Sequence, residues 1–140
     1  MEVRVVNTEQ ELKDAFEVRK VVFVDEQNVP FEEEMDEYDE TATHLVLYHE
    51  GVPSGAGRFR VVEGIGKVER ICVLSSLRGH GAGKAIMRKI EEVAKDQGIS
   101  SLKLNAQTHA IPFYESLGYE VISDEFMDAG IPHKTMKKYI

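Results

Sequence analysis

The chain holds one cysteine, Cys72, so no disulfide can close within it, which suits a reducing cytoplasm. No run of 18 apolar residues occurs, and no transmembrane helix is expected. The opening Met1-Glu2-Val3-Arg4 lacks the basic-then-apolar order of a secretion signal, and a cytoplasmic location is the expectation. Cysteine and histidine do not cluster at metal-ligand spacing, so no metal is expected. Internal repeats and low-complexity linkers are missing. Basic residues are scarce: 17 Lys and Arg face 25 Asp and Glu, for a net charge of −8. That balance argues against general nucleic-acid binding, which needs a basic surface. Residues 21–57 contain no Lys or Arg at all, while acidic residues run from Asp25 to Glu50. Such a run reads either as a solvated acidic loop or as an approach that attracts a cationic acceptor.

At 140 residues with 42% hydrophobic content, the chain is large enough for one domain with one core. Its most informative stretch is 67–97. Lys67 to Leu74 is rich in β-branched and apolar residues and reads as a strand. Ala82, Ile86, Ile90, Val93 and Ala94 fall at helical spacing, with Gly98 as a stop. Between them lies Arg78-Gly79-His80-Gly81-Ala82-Gly83-Lys84. A glycine-rich turn at a helix mouth leaves backbone N–H groups without internal partners, and the helix dipole adds to their positive potential. This is an anion site, most naturally for phosphate, and the glycines keep side chains out of its way. A Walker A loop would need glycine at Arg78 and a hydroxyl at Ala85. A dinucleotide fingerprint would need a third glycine at Lys84 or Ile86.

The arrangement that fits is R-x-x-G-x-G between a strand and a helix, with Arg78, Gly81 and Gly83 in the motif positions. This segment resembles the acetyl-CoA loop of the GNAT N-acetyltransferase superfamily. A second segment supports the resemblance. The strand Ser101–Ala106 precedes Ala110-Ile111-Pro112-Phe113-Tyr114-Glu115-Ser116-Leu117-Gly118-Tyr119, which is similar to the superfamily's second signature. Arg19 to Gln27, with the acidic residues after it, resembles the small ElaA/YjcF-like branch.

The resemblance implies an α+β fold: a mixed, mostly antiparallel sheet with helices on both faces and a splayed cofactor strand. It implies that Ile71, Cys72 and Val73 line the pantetheine arm and that Arg78, Gly79, His80, Gly81, Ala82, Gly83 and Lys84 hold the diphosphate. Asn105 would stand near the cofactor and Tyr114 would be the general acid. Glu69 is the expected base, with His109 as its rival. Phe23 and Glu26 are expected on the acceptor side. The implied reaction is direct acetyl transfer from acetyl-CoA to a primary amine in a ternary complex. The alternative is a non-catalytic acyl-CoA-binding module, and a homodimer follows from family habit.

The remaining chain supplies the frame. Glu2 to Val6 reads as a strand, and Thr8-x-x-Glu11 is a capping box for a helix burying Leu12, Ala15, Phe16 and Val22 or Phe23. Strands are expected over 43–49 and 52–62, a loop over 123–132, and a closing strand over 133–139.

Overall fold

The computed structural model describes residues 1–140. Eight strands form one sheet: β1 (Glu2–Val5), β2 (Thr43–His49), β3 (Val52–Val62), β4 (Ile65–Val73), β5 (Ser101–Gln107), β6 (Glu120–Val121), β7 (Phe126–Asp128) and β8 (Ile131–Tyr139). Their order is β1-β2-β3-β4-β5-β8-β6, with β7 paired to the start of β8. Every neighbouring pair is antiparallel except β4–β5.

Alternation along β2 divides the interior. Leu45 and Leu47 point into a larger core with Ile86, Met87 and Ile90 of helix α3 (Ala82–Asp96). Val46 points the other way, to Ala15 and Val18 of α1 (Glu9–Arg19). The sheet therefore carries helices on both faces, as a period-two strand demands when each face is covered. Gly57 lets β3 approach that interior closely, since an added Cβ would lie 2.6 Å from Ile71 Cδ1.

Helix α1 opens on the expected capping box. Glu11 N–H donates to Thr8 Oγ1 at 3.1 Å, and Thr8 N–H donates to Glu11 Oε1 at 3.1 Å. The helix runs on as a π-helical turn over Lys20–Glu26, where Gln27 N–H reaches back to the Val22 carbonyl. Ala15 and Val22 are buried as expected, whereas Leu12, Phe16 and Phe23 are only half-buried. Helix α3 ends where Gly98 takes a φ of +77° and Ile99 N–H bonds the Ala94 carbonyl, a glycine C-cap.

The segment 123–132, expected to be a loop, contains β7. Ala129 and Gly130 both have positive φ, the turn geometry that suits the twist of a tight hairpin. Glu50-Gly51 and Glu63-Gly64 turn in the same way. The last strand does not close the sheet either, because β8 lies between β5 and the edge strand β6.

Two features open the sheet. β4 and β5 pair only through Gly66–Leu102, Lys67–Lys103 and Val68–Leu104. Just beyond, Ala56 pairs with Cys72 but Arg58 with Glu69, so Gly57 faces two residues of β4. This bulge places Arg70 at a φ of +61°, and bulges bend and twist the strand that carries them. β4 thus turns away from β5 after Val68.

Glu32, Glu33, Glu37 and Glu40 of the acidic stretch are exposed, as the solvated reading expects, but the stretch also does something that neither reading foresaw. Three of its carboxylates belong to a buried ion network. Arg19 binds Glu34 of α2 (Phe31–Glu34) at 2.8 Å and Asp39 at 2.7 Å. Arg58 binds Asp36 at 2.7 Å and Asp39 at 2.6 Å. Arg70 adds Glu34 at 3.1 Å and Asp36 at 3.3 Å. Burial works against ionisation of Asp39, but the hydrogen bonds and charges of Arg19 and Arg58 outweigh it and hold its carboxyl at about 2. A depressed folded-state pKa contributes stability above the ordinary aspartate value and loses it as pH falls toward the folded value. Stability is therefore expected to drop between about pH 5 and pH 2. Asp39→Asn should flatten this acid limb in urea titrations taken at successive pH values, and an unchanged slope would remove Asp39 as its source.

Candidate active site

The glycine loop begins after Leu77 and delivers the chain into α3. Gly79 and Gly81 have φ of +82° and +85°, with open space where a Cβ would stand. No backbone N–H from residues 79 to 84 finds an acceptor in the chain; the first bonded one is Ala85 N–H, on the Gly81 carbonyl at 3.1 Å. A row of free donors at the positive end of a 15-residue helix is an anion cradle. Gly83 serves a different need from the one expected. An added Cβ would meet Phe113 Cζ at 3.1 Å, so the glycine lets α3 pack against α4 (Ile111–Ser116). Ala82 is buried beneath the loop, while His80 and Lys84 are exposed on it.

Beside the loop, the opening between β4 and β5 forms a cavity of about 870 Å³. The larger core supplies Tyr114 to its wall. The Tyr114 ring packs edge-on against Phe113 and Tyr119, with centroids 5.0 and 5.9 Å away. Its hydroxyl makes no hydrogen bond within the chain, and burial pushes its pKa well above the usual phenol value. Across the neutral range it therefore stays a proton donor. Ile71 and Val73 pack against the larger core, but Cys72 is buried on the α1 side among Val18, Val22 and Ala56. Burial pushes its thiol up to about 12, so it is no nucleophile at neutral pH. Asn105 is exposed in the opening, and its Oδ1 accepts from Thr135 Oγ1 at 2.9 Å.

Three expected site residues are occupied by other charges. Glu69 lies 2.9 Å from Arg60 and 3.3 Å from Arg58. Two guanidinium groups from β3 engage this carboxylate, so the geometry corrects the sequence-based choice of Glu69 as a free base. Arg78 donates to the Val73 carbonyl at 3.0 Å and, through a second nitrogen, to Glu26 Oε2 at 2.8 Å. Glu26 is thus engaged with the loop arginine rather than free for an acceptor, and Arg78 points to Glu26 rather than into the loop. Phe23 does line the cavity, carried there by the π-helical turn. His109 also lines it, exposed on the short turn after β5.

Sequence reasoning missed His133. It is buried on β8, lines the cavity, and stacks on Phe126 at 6.0 Å between ring centroids. A lone histidine in an alternating strand carries no pattern. The hairpin that positions it did carry one, because Ala129-Gly130 has the same X-Gly form as Glu50-Gly51. No group of side chains suited to a metal ion is present, and no helix is long and apolar enough to cross a membrane.

Comparison with known proteins agrees with this geometry. The family model for the acetyltransferase (GNAT) domain matches residues 8–140. The N-acetyltransferase YjcF of Bacillus subtilis, itself uncharacterized, is 53% identical over 139 residues, covering 99% of each chain. An acyl-CoA N-acyltransferase from Pseudomonas aeruginosa superposes with a TM-score of 0.85 at 25% identity, covering 98% of this chain and 97% of that one. Escherichia coli ElaA superposes with a TM-score of 0.87 at 24% identity, covering 98% of each. The sheet and its opening are those of the acyl-CoA N-acyltransferase fold. The chain belongs to the GNAT acetyltransferase family.

Proposed function

We propose that the protein transfers the acetyl group of acetyl-CoA to a primary amine, by direct attack within a ternary complex. The observation that carries this reading is the row of unpartnered N–H groups at residues 79–84 beside the opening that holds Tyr114. The amides of Gly79 to Lys84 would bind the diphosphate of CoA, with Lys84 adding charge. The freed edge of β4, over Ile71, Cys72 and Val73, would bind the pantetheine arm. Asn105 would meet the arm from the β5 side.

The amine must reach the thioester from the α1 face, past Phe23. There Glu33 and Asp128 line the cavity without ion-pair partners and would attract a cationic acceptor. As nitrogen attacks the carbonyl carbon, a backbone N–H near Cys72 or Val73 would steady the oxyanion. The C–S bond then breaks, and the Tyr114 hydroxyl donates to the departing sulfur. A cytoplasmic location fits a protein whose one thiol is buried and reduced.

Calorimetric titration with acetyl-CoA and with CoA tests the cofactor site, using Gly81→Glu beside the wild type. Glutamate at a φ of +85° is strained and sets a negative charge where the diphosphate binds. Binding should be saturable in the wild type and weaker by ~100-fold or more in the variant, about 2.7 kcal/mol. A well-folded wild type that binds neither ligand would overturn the reading. Binding without transfer to any amine would point to a sensor instead.

A further inference from the structure

We propose that His133 is the general base of the transfer, taking the proton of the acceptor amine at Nε2. The inference rests on the transferase reading above and assigns the one role that Glu69 leaves open.

The tautomer follows from the hydrogen bond. His133 Nδ1 lies 2.7 Å from the Ile131 carbonyl, which can only accept, so Nδ1 carries the hydrogen. In the neutral ring, Nε2 then holds a free lone pair. It makes no hydrogen bond within the chain, and the residue lines the cavity. The stack on Phe126 and the bond to Ile131 fix the ring from two sides. A base held ready by a second-nitrogen hydrogen bond is a recurring use of histidine.

The side of the sheet is also right. His133 pairs with Gln107, and directly paired residues of antiparallel strands point to the same face. Gln107 donates to Gln27 just after the π-helical turn, at 2.9 Å, which fixes that face as the one covered by α1 and its extension. Tyr114 packs with Leu104 and Ala106 on the opposite face. The splayed opening thus has a proton acceptor on the acceptor side and a proton donor on the cofactor side.

Charged groups line the cavity from every wall. Glu26 is held by Arg78, Glu34 by Arg19 and Arg70, and Glu69 by Arg58 and Arg60. Lys67 stands 3.9 Å from Glu69. Glu33, Asp128 and His109 line the cavity and make no ion pair in the chain. His109 is the rival, but it is exposed on a turn with no bond to orient its ring.

The step balances. The N–C bond forms, the amine proton passes to His133 Nε2, and the C–S bond then breaks. The sulfur receives a proton from Tyr114, and solvent returns the imidazolium proton to the phenolate.

Transfer to benzylamine, followed by release of CoA thiol across pH, gives the kinetic test. His133→Gln should lower kcat by ~10²–10⁴-fold, remove the acid limb of the kcat/KM profile and leave acetyl-CoA affinity unchanged. Added imidazole should restore part of the activity of His133→Ala. An unchanged kcat and acid limb in His133→Gln would overturn the proposal. If the wild type binds acetyl-CoA yet does not acetylate benzylamine, that counts against the transferase reading for this amine, and nitrogen-15 NMR of the histidine rings decides the inference. The His133 signal, assigned by its loss in His133→Gln, should show hydrogen on Nδ1 in the neutral ring. Hydrogen on Nε2 of the neutral ring would overturn it.

Discussion

Arg58→Ala should lower the free energy of unfolding by about 3–5 kcal/mol, the usual cost of removing one partner from a buried ion pair. Arg58 has no exposed surface, so water cannot replace it. Its loss leaves Asp36 and Asp39 beside each other and frees a side of Glu69. Burial alone would favour loss of the arginine's proton; the hydrogen bonds it donates to Asp36 and Asp39 outweigh burial and hold the charge firmly. Arg58→Lys should recover only part of the loss, because one ammonium cannot reproduce the forked contacts of a guanidinium. Urea unfolding measures both variants. A loss below about 1 kcal/mol for Arg58→Ala would mean that the network adds little beyond exposed pairs.

Tyr114→Phe should reduce kcat by ~10²-fold or more while leaving acetyl-CoA affinity nearly intact. The substitution removes one oxygen and keeps the ring, so the edge-on contacts with Phe113 and Tyr119 survive. The hydroxyl has no partner in the chain to abandon, and stability should hardly change. The effect should therefore fall on the sulfur's departure and not on the fold. An amine acceptor with the thiol product monitored in steady state reads kcat, and calorimetry reads affinity. Equal turnover in the two proteins would take Tyr114 out of the chemistry.

What could be read from the chain beforehand was local. The Thr8–Glu11 box, the glycine loop into α3 and the Gly98 stop each lie within a few residues, and the structure has all three. The ion network was hidden because its partners are far apart in sequence: Arg58 meets Asp36 across 22 positions and Arg70 meets Glu34 across 36. A charge run shows its sign but not which arginine will be buried against it. Glu69 looked available for the same reason, since its neighbours Arg58 and Arg60 arrive from β3. His133 acquires meaning only once β8 pairs with β5 and the hairpin from β7 aims its ring. The loop between 123 and 132 hid that hairpin because Pro132 obscured the alternation.

The bulged strand and the arginine cluster divide duties in a way that bears on how this family diversifies. Arg19, Arg58 and Arg70 brace the segment 34–39 from inside, so that wall keeps its shape without help from the residues it shows to the cavity. The side chains of Phe23, Glu33 and Asp128 line the cavity and make no ion pair with those arginines. On the proposed function, single exchanges at this rim should change which amine is accepted while the ion network and the glycine loop stay as they are.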